Sequence, residues 1–529
     1  MKITKIASVA LASTMLLGTT ACKGLGGGTS VDNTVESTTE LKIMVINKGY
    51  GTSWATEMEA AFEADNPGVN VDVKIVSDAA AVATSIEGGP KLNDIDIYFN
   101  VEGAGVQSKY ESYKDKWGYT QGLMDYTEIY NSTIPGENVT MKEKMIDSFL
   151  KASTITEGDL EKQYSMSWAS GMMGMFYNKD VLARVYPNGY QLPQTTDDFI
   201  KMLGDVKAKA GYTAITYPGK LDQLVKAFGF AFWAQYEGLD GVDNFYSGKV
   251  YNEDTESYEL SSNIFKQQGI YESLKVLETI ASEENGYAMP EVLSYDGSNF
   301  RNLQLKFFTS SQNIAFYPCG DWLEQESSFQ GSSEVGLLPT PVISSIINVL
   351  DTVNSEAELK EVISYVDGDT TTIDSKYSAA DIERVREARN IRFSNSDCHY
   401  AYSPAYANAP QLIKSFLLYM ASDKGIEIYK RNVKGSFLPF EYDYSSMSGL
   451  SSVETDIAKS INTVEMVYQY GHTRMTYVGG VGVFGGLQST VDYALSANKN
   501  NSFYMNAEDI WKAGFYTDAE WQNVLQLVG

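Results

Sequence analysis

Leu41-Lys-Ile-Met-Val-Ile46, Trp54-Ala-Thr-Glu-Met-Glu-Ala-Ala-Phe-Glu63, Asn66-Pro-Gly68 and Val69-Asn-Val-Asp-Val-Lys-Ile-Val76 follow one another near the start of the foldable chain. The first run is short and apolar; it reads as a buried strand and breaks at Asn47-Lys48-Gly49-Tyr50-Gly51. The second has helical spacing, with Met58, Ala61 and Phe62 on one side, and stops at the Asn-Pro-Gly turn. The third reads as a strand, and Ile95-Asp-Ile-Tyr-Phe99 gives another. Strands that alternate with helices predict a largely parallel sheet with ligand at the strand C-termini, so loops 47–54 and 100–104 are expected to share one edge.

Further along, Thr195-Thr-Asp-Asp-Phe199 opens a helix with a Thr/Asp cap and a core stripe of Phe199, Met202, Leu203 and Val206. A second long helix is expected from about Ala409 through Tyr429, with Leu412, Ile413, Phe416, Leu417 and Met420 facing inward. Between them, residues 343–398 look inserted: a Thr/Ser/Asp-rich stretch around Asp367-Gly-Asp-Thr370 is flanked by two short helical patterns.

At the N-terminus, Lys2 and Lys5 precede an apolar run from Ile6 to Leu17 and then Gly18-Thr-Thr-Ala-Cys22, which reads as a signal peptide over residues 1–21. Cys22 sits where a bacterial lipoprotein signal places its lipidated cysteine, with Thr19 departing from the usual Leu. Residues 22–40 are Gly-rich and then polar, as expected of a flexible tether from a membrane lipid. No later segment reaches the ~20 continuous apolar residues of a membrane-spanning helix.

The chain has 529 residues and a formal charge of -27, which argues against nucleic acid and anionic lipid surfaces as partners. Its 36 tyrosines exceed what a core alone requires and suggest rings available for stacking. Cys319 and Cys398 are the other cysteines; they either pair in an oxidising compartment or remain separate thiols.

Four blocks carry a resemblance. They are Ala61-Phe-Glu-Ala-Asp-Asn-Pro-Gly-Val-Asn-Val71; Phe176-Tyr-Asn-Lys-Asp-Val-Leu182 with Pro193-Gln-Thr-Thr-Asp-Asp-Phe199; Ile314-Ala-Phe-Tyr-Pro-Cys-Gly-Asp-Trp322 with Val335-Gly-Leu-Leu-Pro-Thr-Pro341; and Ser415-Phe-Leu-Leu-Tyr-Met-Ala-Ser-Asp-Lys-Gly425. In this order they resemble the extracellular solute-binding proteins of ABC importers, in the branch similar to maltose- and oligosaccharide-binding proteins. Thr196, where that family often has Trp, and the long insertion depart from its pattern. The resemblance implies an α/β, two-lobed periplasmic-binding-protein-like fold (type II, Venus-flytrap), its lobes joined by hinge strands near 165–171, 336–341 and 435–439. Lobe one would hold 41–167 plus 340–436, including the insertion at about 343–398, and lobe two 168–338 plus 437–529. It further implies a lipid-anchored monomer on the extracellular face of the membrane, which captures a carbohydrate and hands it to ABC permease subunits without cofactor, metal or catalysis.

A sugar offers an apolar C–H face to aromatic rings and a rim of hydroxyls to polar side chains. Trp322 occupies the position matching the family's binding Trp and leads the candidates, followed by Trp233, Trp168 and the loop residue Tyr50. Lys48, Asn100 and Glu102 follow strand ends, Asp321 precedes Trp322, and Tyr477 and Phe484 lie in a late segment similar to the one that closes the family's pocket. For each ring the alternative is a place in the core, and for each polar group a solvated surface.

Two other readings stay open: an extracellular carbohydrate-active enzyme with a carboxylate pair, or the same fold carrying a polyamine, peptide or metal ion. His399 and His472 are the only histidines, which leaves metal and triad chemistry short of ligands. Gly480-Val-Gly-Val-Phe-Gly485 matches a dinucleotide-binding spacing, but no βαβ unit of the needed length follows it, so it reads as a turn.

Overall fold

The computed structural model describes residues 39–101, 112–157, 160–327, 333–394, 399–468, 490–513, 521–522 and 525. The opening stretch folds as its spacing predicts. Strand β1 (Glu40–Ile46) pairs in parallel with β2 (Asn70–Val76) and β3 (Ile97–Phe99), with Ile43 opposite both Val73 and Ile97. Helix α1 (Ser53–Asp65) buries Trp54, Met58 and Phe62, one residue per turn, and its last turn closes as the Asn66 N–H reaches the Phe62 carbonyl. Gly68, at φ +95°, then turns the chain into β2.

Strand β4 (Met166–Ser167) lies at the far edge of this first sheet, beside a later strand. Residues 168–172 then carry the chain into a second sheet. That sheet contains β5 (Met173–Asn178), β6 (Thr213–Ile215), β7 (Ile314–Gly320) and β8 (Val335–Leu337), in the order β8-β5-β7-β6. Every residue of β5 and β7 is buried. Helix α2 (Thr196–Lys207) is capped by the Thr195 hydroxyl and buries Phe199, Met202, Leu203 and Val206, while α3 (Phe230–Ser247) kinks at Gly238, whose φ is +79°.

The inserted segment folds as α4 (Glu356–Val366), α5 (Ala379–Asn390) and β9 (Ile391–Ser394). The expectation placed it with the first lobe; it packs instead on α2 and α3, beside the second sheet. Lys360 pairs with Asp198 at 2.8 Å, and Gln194 donates to Ser364 at 2.9 Å. Buried Gln235 donates to the carbonyls of Pro341 (3.2 Å) and Ala388 (3.0 Å) and accepts the Ile343 N–H (2.8 Å), so one amide ties both ends of the excursion. The chain at 336–341 therefore makes no crossing, and Tyr400 is back in the first sheet. The apolar stripes Leu359, Val362, Ile363 and Val385, Ala388 required burial, but such stripes do not specify a partner.

Strand β10 (Tyr400–Tyr402) then runs antiparallel to both β3 and β4, completing the first sheet as β2-β1-β3-β10-β4. The helix expected over 409–429 is two helices, α6 (Pro410–Ala421) and α7 (Asp423–Asn432), because the Ser422 hydroxyl caps the second by accepting the Gly425 N–H at 3.2 Å. Of the residues expected to face inward, Ile413, Phe416, Leu417 and Met420 are buried, whereas Leu412 is half-buried. A last crossing leads to α8 (Ser452–Ala458) against β8 and to β11 (Glu465–Tyr468), which pairs in parallel with β9.

Candidate binding site

Three strand ends and one strand start converge where the two sheets exchange chain. Tyr50 follows β1, Trp168 follows β4, Asp321 and Trp322 follow β7, and His399 precedes β10. Their rings form one cluster: Tyr50 meets Trp168, Trp322 and His399 edge-on at 5.8, 6.1 and 5.1 Å. Trp168 meets His399 at 5.6 Å and stacks on Trp54 at 5.5 Å. Tyr50, Trp168 and His399 are buried, whereas Trp322 keeps part of its surface open. The cluster is thus a supported platform with one accessible ring.

Two glycines set that ring. A Cβ on Gly320 would stand 2.2 Å from the six-membered ring of Trp322, so the indole folds back over a residue that must lack a side chain. A Cβ on Gly49 would touch the Trp322 Cβ at 3.4 Å.

Beneath the platform, Asp321 is buried and fully engaged. It accepts the Tyr50 hydroxyl at 2.8 Å, the Ser170 hydroxyl, and the Met172 N–H at 3.1 Å. Burial pushes its carboxyl above the usual range, and these donors counteract part of that. Burial and the neighbouring carboxylate push the Tyr50 phenol well up, so it stays a donor. Ser170 also accepts the Phe437 N–H at 3.1 Å, and Gly435, at φ +83°, presses so closely on the Asp321 carbonyl that no side chain fits there. Asp321 therefore fastens β1, the 168–172 crossing and the 434–437 crossing to one point. Nearby, Lys430 of α7 and Glu454 of α8 form a buried ion pair at 2.6 Å. Burial works against the Glu454 charge, but Lys430 and backbone donors outweigh it and hold the carboxyl below its usual range.

Of the sequence candidates, Tyr50, Trp168, Asp321 and Trp322 are brought together. Asn100 is adjacent: its carbonyl accepts the Trp168 indole N–H at 3.0 Å, while its side chain is spent on Tyr402 and the Val101 N–H. Lys48 is exposed on the loop, and its backbone carbonyl accepts the Tyr50 N–H at 2.5 Å. Trp233 lies elsewhere, fully buried in α3, with its indole N–H on Gln267 at 2.7 Å and Phe245 at 5.3 Å. Glu102, Tyr477 and Phe484 fall outside the described residues, as do Cys22, His472, the 480–485 glycines and Cys398; Cys319 is buried in β7. No sequence signal pointed to His399 or Ser170, since neither stands in a motif. Among the described residues no group of carboxylate, His and Cys side chains suits a metal, and no helix is long and apolar enough to cross a membrane.

Two α/β sheets joined by crossing segments, with an aromatic platform at the junction, define a two-lobed binding fold. Residues 47–303, just under half of the chain, match the family profile of bacterial extracellular solute-binding proteins. A family 1 extracellular solute-binding protein from Bifidobacterium longum subsp. infantis has a similar structure at 16% identity, with a TM-score of 0.51, over 91% of this chain and 98% of that one. A structure from a study of xylan utilization by Caldanaerobius polysaccharolyticus (12% identity, TM-score 0.54) covers 89% of this chain and 98% of its own. RafE in complex with raffinose (15%, 0.51) covers 90% and 98%, and apo RafE from Streptococcus pneumoniae (13%, 0.53) likewise covers 90% and 98%. No curated protein matches the chain.

Proposed function

We propose that this protein captures a carbohydrate, an oligosaccharide, outside the cell and presents it to the permease of an ABC importer, held to the membrane by a lipid on Cys22. The observation that carries the cargo is Trp322, the one partly open ring of the cluster, braced from behind by Tyr50 and His399. A flat, supported indole suits the C–H face of a sugar. The raffinose complex of RafE, on the same fold, supports the same choice.

The lobes hinge about 168–172 and 434–437, and sugar held by both sides favours the closed form. The reading is capture without turnover. Asp321, the carboxylate nearest the platform, has its oxygens filled by three protein donors and is in no position to act as acid or nucleophile.

The test is a thermal-shift and tryptophan-fluorescence titration of the purified chain against mono- and oligosaccharides and polyamines, followed by thin-layer analysis of the sugar. Saturable, salt-tolerant binding of one saccharide class, with the sugar recovered intact, supports the proposal. Cleavage of the sugar would make the protein an enzyme, and binding of polyamines alone, weakening with salt, would change the cargo. For the anchor, Cys22→Ala should move the protein from the membrane fraction to the medium; an unchanged distribution overturns that part.

A further inference from the structure

A cavity of about 850 Å³ has no residue of the Trp322 cluster in its lining and falls within the ~300–1,000 Å³ range of small-molecule sites. Its position follows from the pairing. Met172 bonds Asp321 on one side and bridges Ser394 of β9 on the other; β9 pairs with β11, and β11 forms a wall of the cavity. The facing walls come from the helix at 147–153 and from the part of α3 beyond the Gly238 kink. Leu150, Leu239, Val242 and Met466 make it largely apolar, Tyr246 is buried in its wall, and Tyr258, 53% exposed, stands at its rim.

The charged groups of the lining do not cancel. Lys151 pairs with Asp243 at 2.6 Å and Lys142 with Glu161 at 2.9 Å. Lys249, exposed at the rim, remains against Asp147 and Glu465. Glu465 is half-buried and has no hydrogen-bond or ion-pair partner among the described residues. Burial raises its pKa, and the nearby carboxylates of Glu387 and Asp147 raise it further, with Lys151 opposing. A carboxyl that faces apolar walls and lacks a donor is completed by a ligand that brings a cation and its own apolar surface.

We propose that this cavity is a second binding site, separate from the Trp322 platform, for a small amine with an apolar or aromatic body, its ammonium on Glu465 and its body against Tyr258, Leu239 and Val242. The inference does not depend on the cargo bound at Trp322. Calorimetric titration with tyramine and benzylamine, and with benzyl alcohol as the neutral match, tests it on the full chain. The amines should bind saturably and benzyl alcohol should not. Glu465→Gln should weaken the amines by about tenfold or more, Val242→Trp should fill the cavity and abolish binding, and Trp322→Ala should leave amine binding unchanged. Absence of amine binding, equal binding of benzyl alcohol, or binding that survives Glu465→Gln but is lost in Trp322→Ala overturns the proposal. If Val242→Trp fails to fold, Glu465→Gln, which changes no volume, still decides the matter.

Discussion

Trp322 and Trp233 are both ringed by aromatic neighbours, yet they sit in opposite circumstances. Trp322 follows a strand end, rests on Tyr50 and His399, and leaves part of its ring open where the two sheets exchange chain. Trp233 lies inside α3, packed by Phe245 and Tyr246 and closed off by Gln267. The first cluster is arranged around a ring that it does not cover, the second around one it covers completely. A ring count cannot separate the two; what lies beside the ring can. Gly320 makes room for Trp322 to fold back, whereas Phe230, Ala231, Phe232 and Ala234 place Trp233 in a helical segment that is buried all round.

This contrast can be broken in four ways. Trp233→Ala should cost the most, about 3–5 kcal/mol of stability by urea denaturation, with the sugar affinity of the folded fraction unchanged. Loss of affinity at full stability would erase the distinction. Trp322→Ala should do the reverse: stability within ~1 kcal/mol, and sugar affinity reduced by on the order of 2 kcal/mol, roughly 30-fold. Gly320→Ala should reduce affinity by less, with the indole still present but displaced. Unchanged affinity together with an unshifted fluorescence spectrum would show that the pose of the ring is immaterial.

The smallest effect concerns Asp321. Its raised pKa means the folded chain holds this proton more tightly than the unfolded chain. Stability from this group is therefore lost as pH rises from the ordinary aspartate value, ~3.9, to the raised one. Asp321→Asn, which cannot ionise, should gain on the parent over that window in melting temperature measured as a function of pH. A difference that does not vary with pH would mean that the carboxyl titrates normally and that its three donors fully compensate burial.

The sheet-forming elements at the start of the chain were legible because period-two and period-3.6 patterns are local, and the Asn-Pro-Gly turn separates them clearly. Trp322 was legible through its match to the family's binding Trp, Asp321 as the residue before it, Trp168 near the first crossing and Tyr50 as a loop aromatic. His399 was not, since a lone histidine before a strand carries no pattern, and its neighbours Tyr50 and Trp168 come from distant parts of the chain. The pairing of Lys430 with Glu454 and the docking side of residues 343–394 were hidden for a related reason. A charge or an apolar stripe states a need, and only the assembled fold decides what meets it.

The amide of Gln235 has an evolutionary consequence. It holds the chain where the excursion departs, at Pro341 and Ile343, and where it comes back, at Ala388, within reach of a single side chain. A segment whose two ends meet in this way can lengthen, shorten or be exchanged between relatives without re-routing the sheets on either side. Ancestry in this part of the molecule can thus differ from ancestry in the rest, and the outer surface of the second lobe can be rewritten while the platform around Trp322 keeps its form.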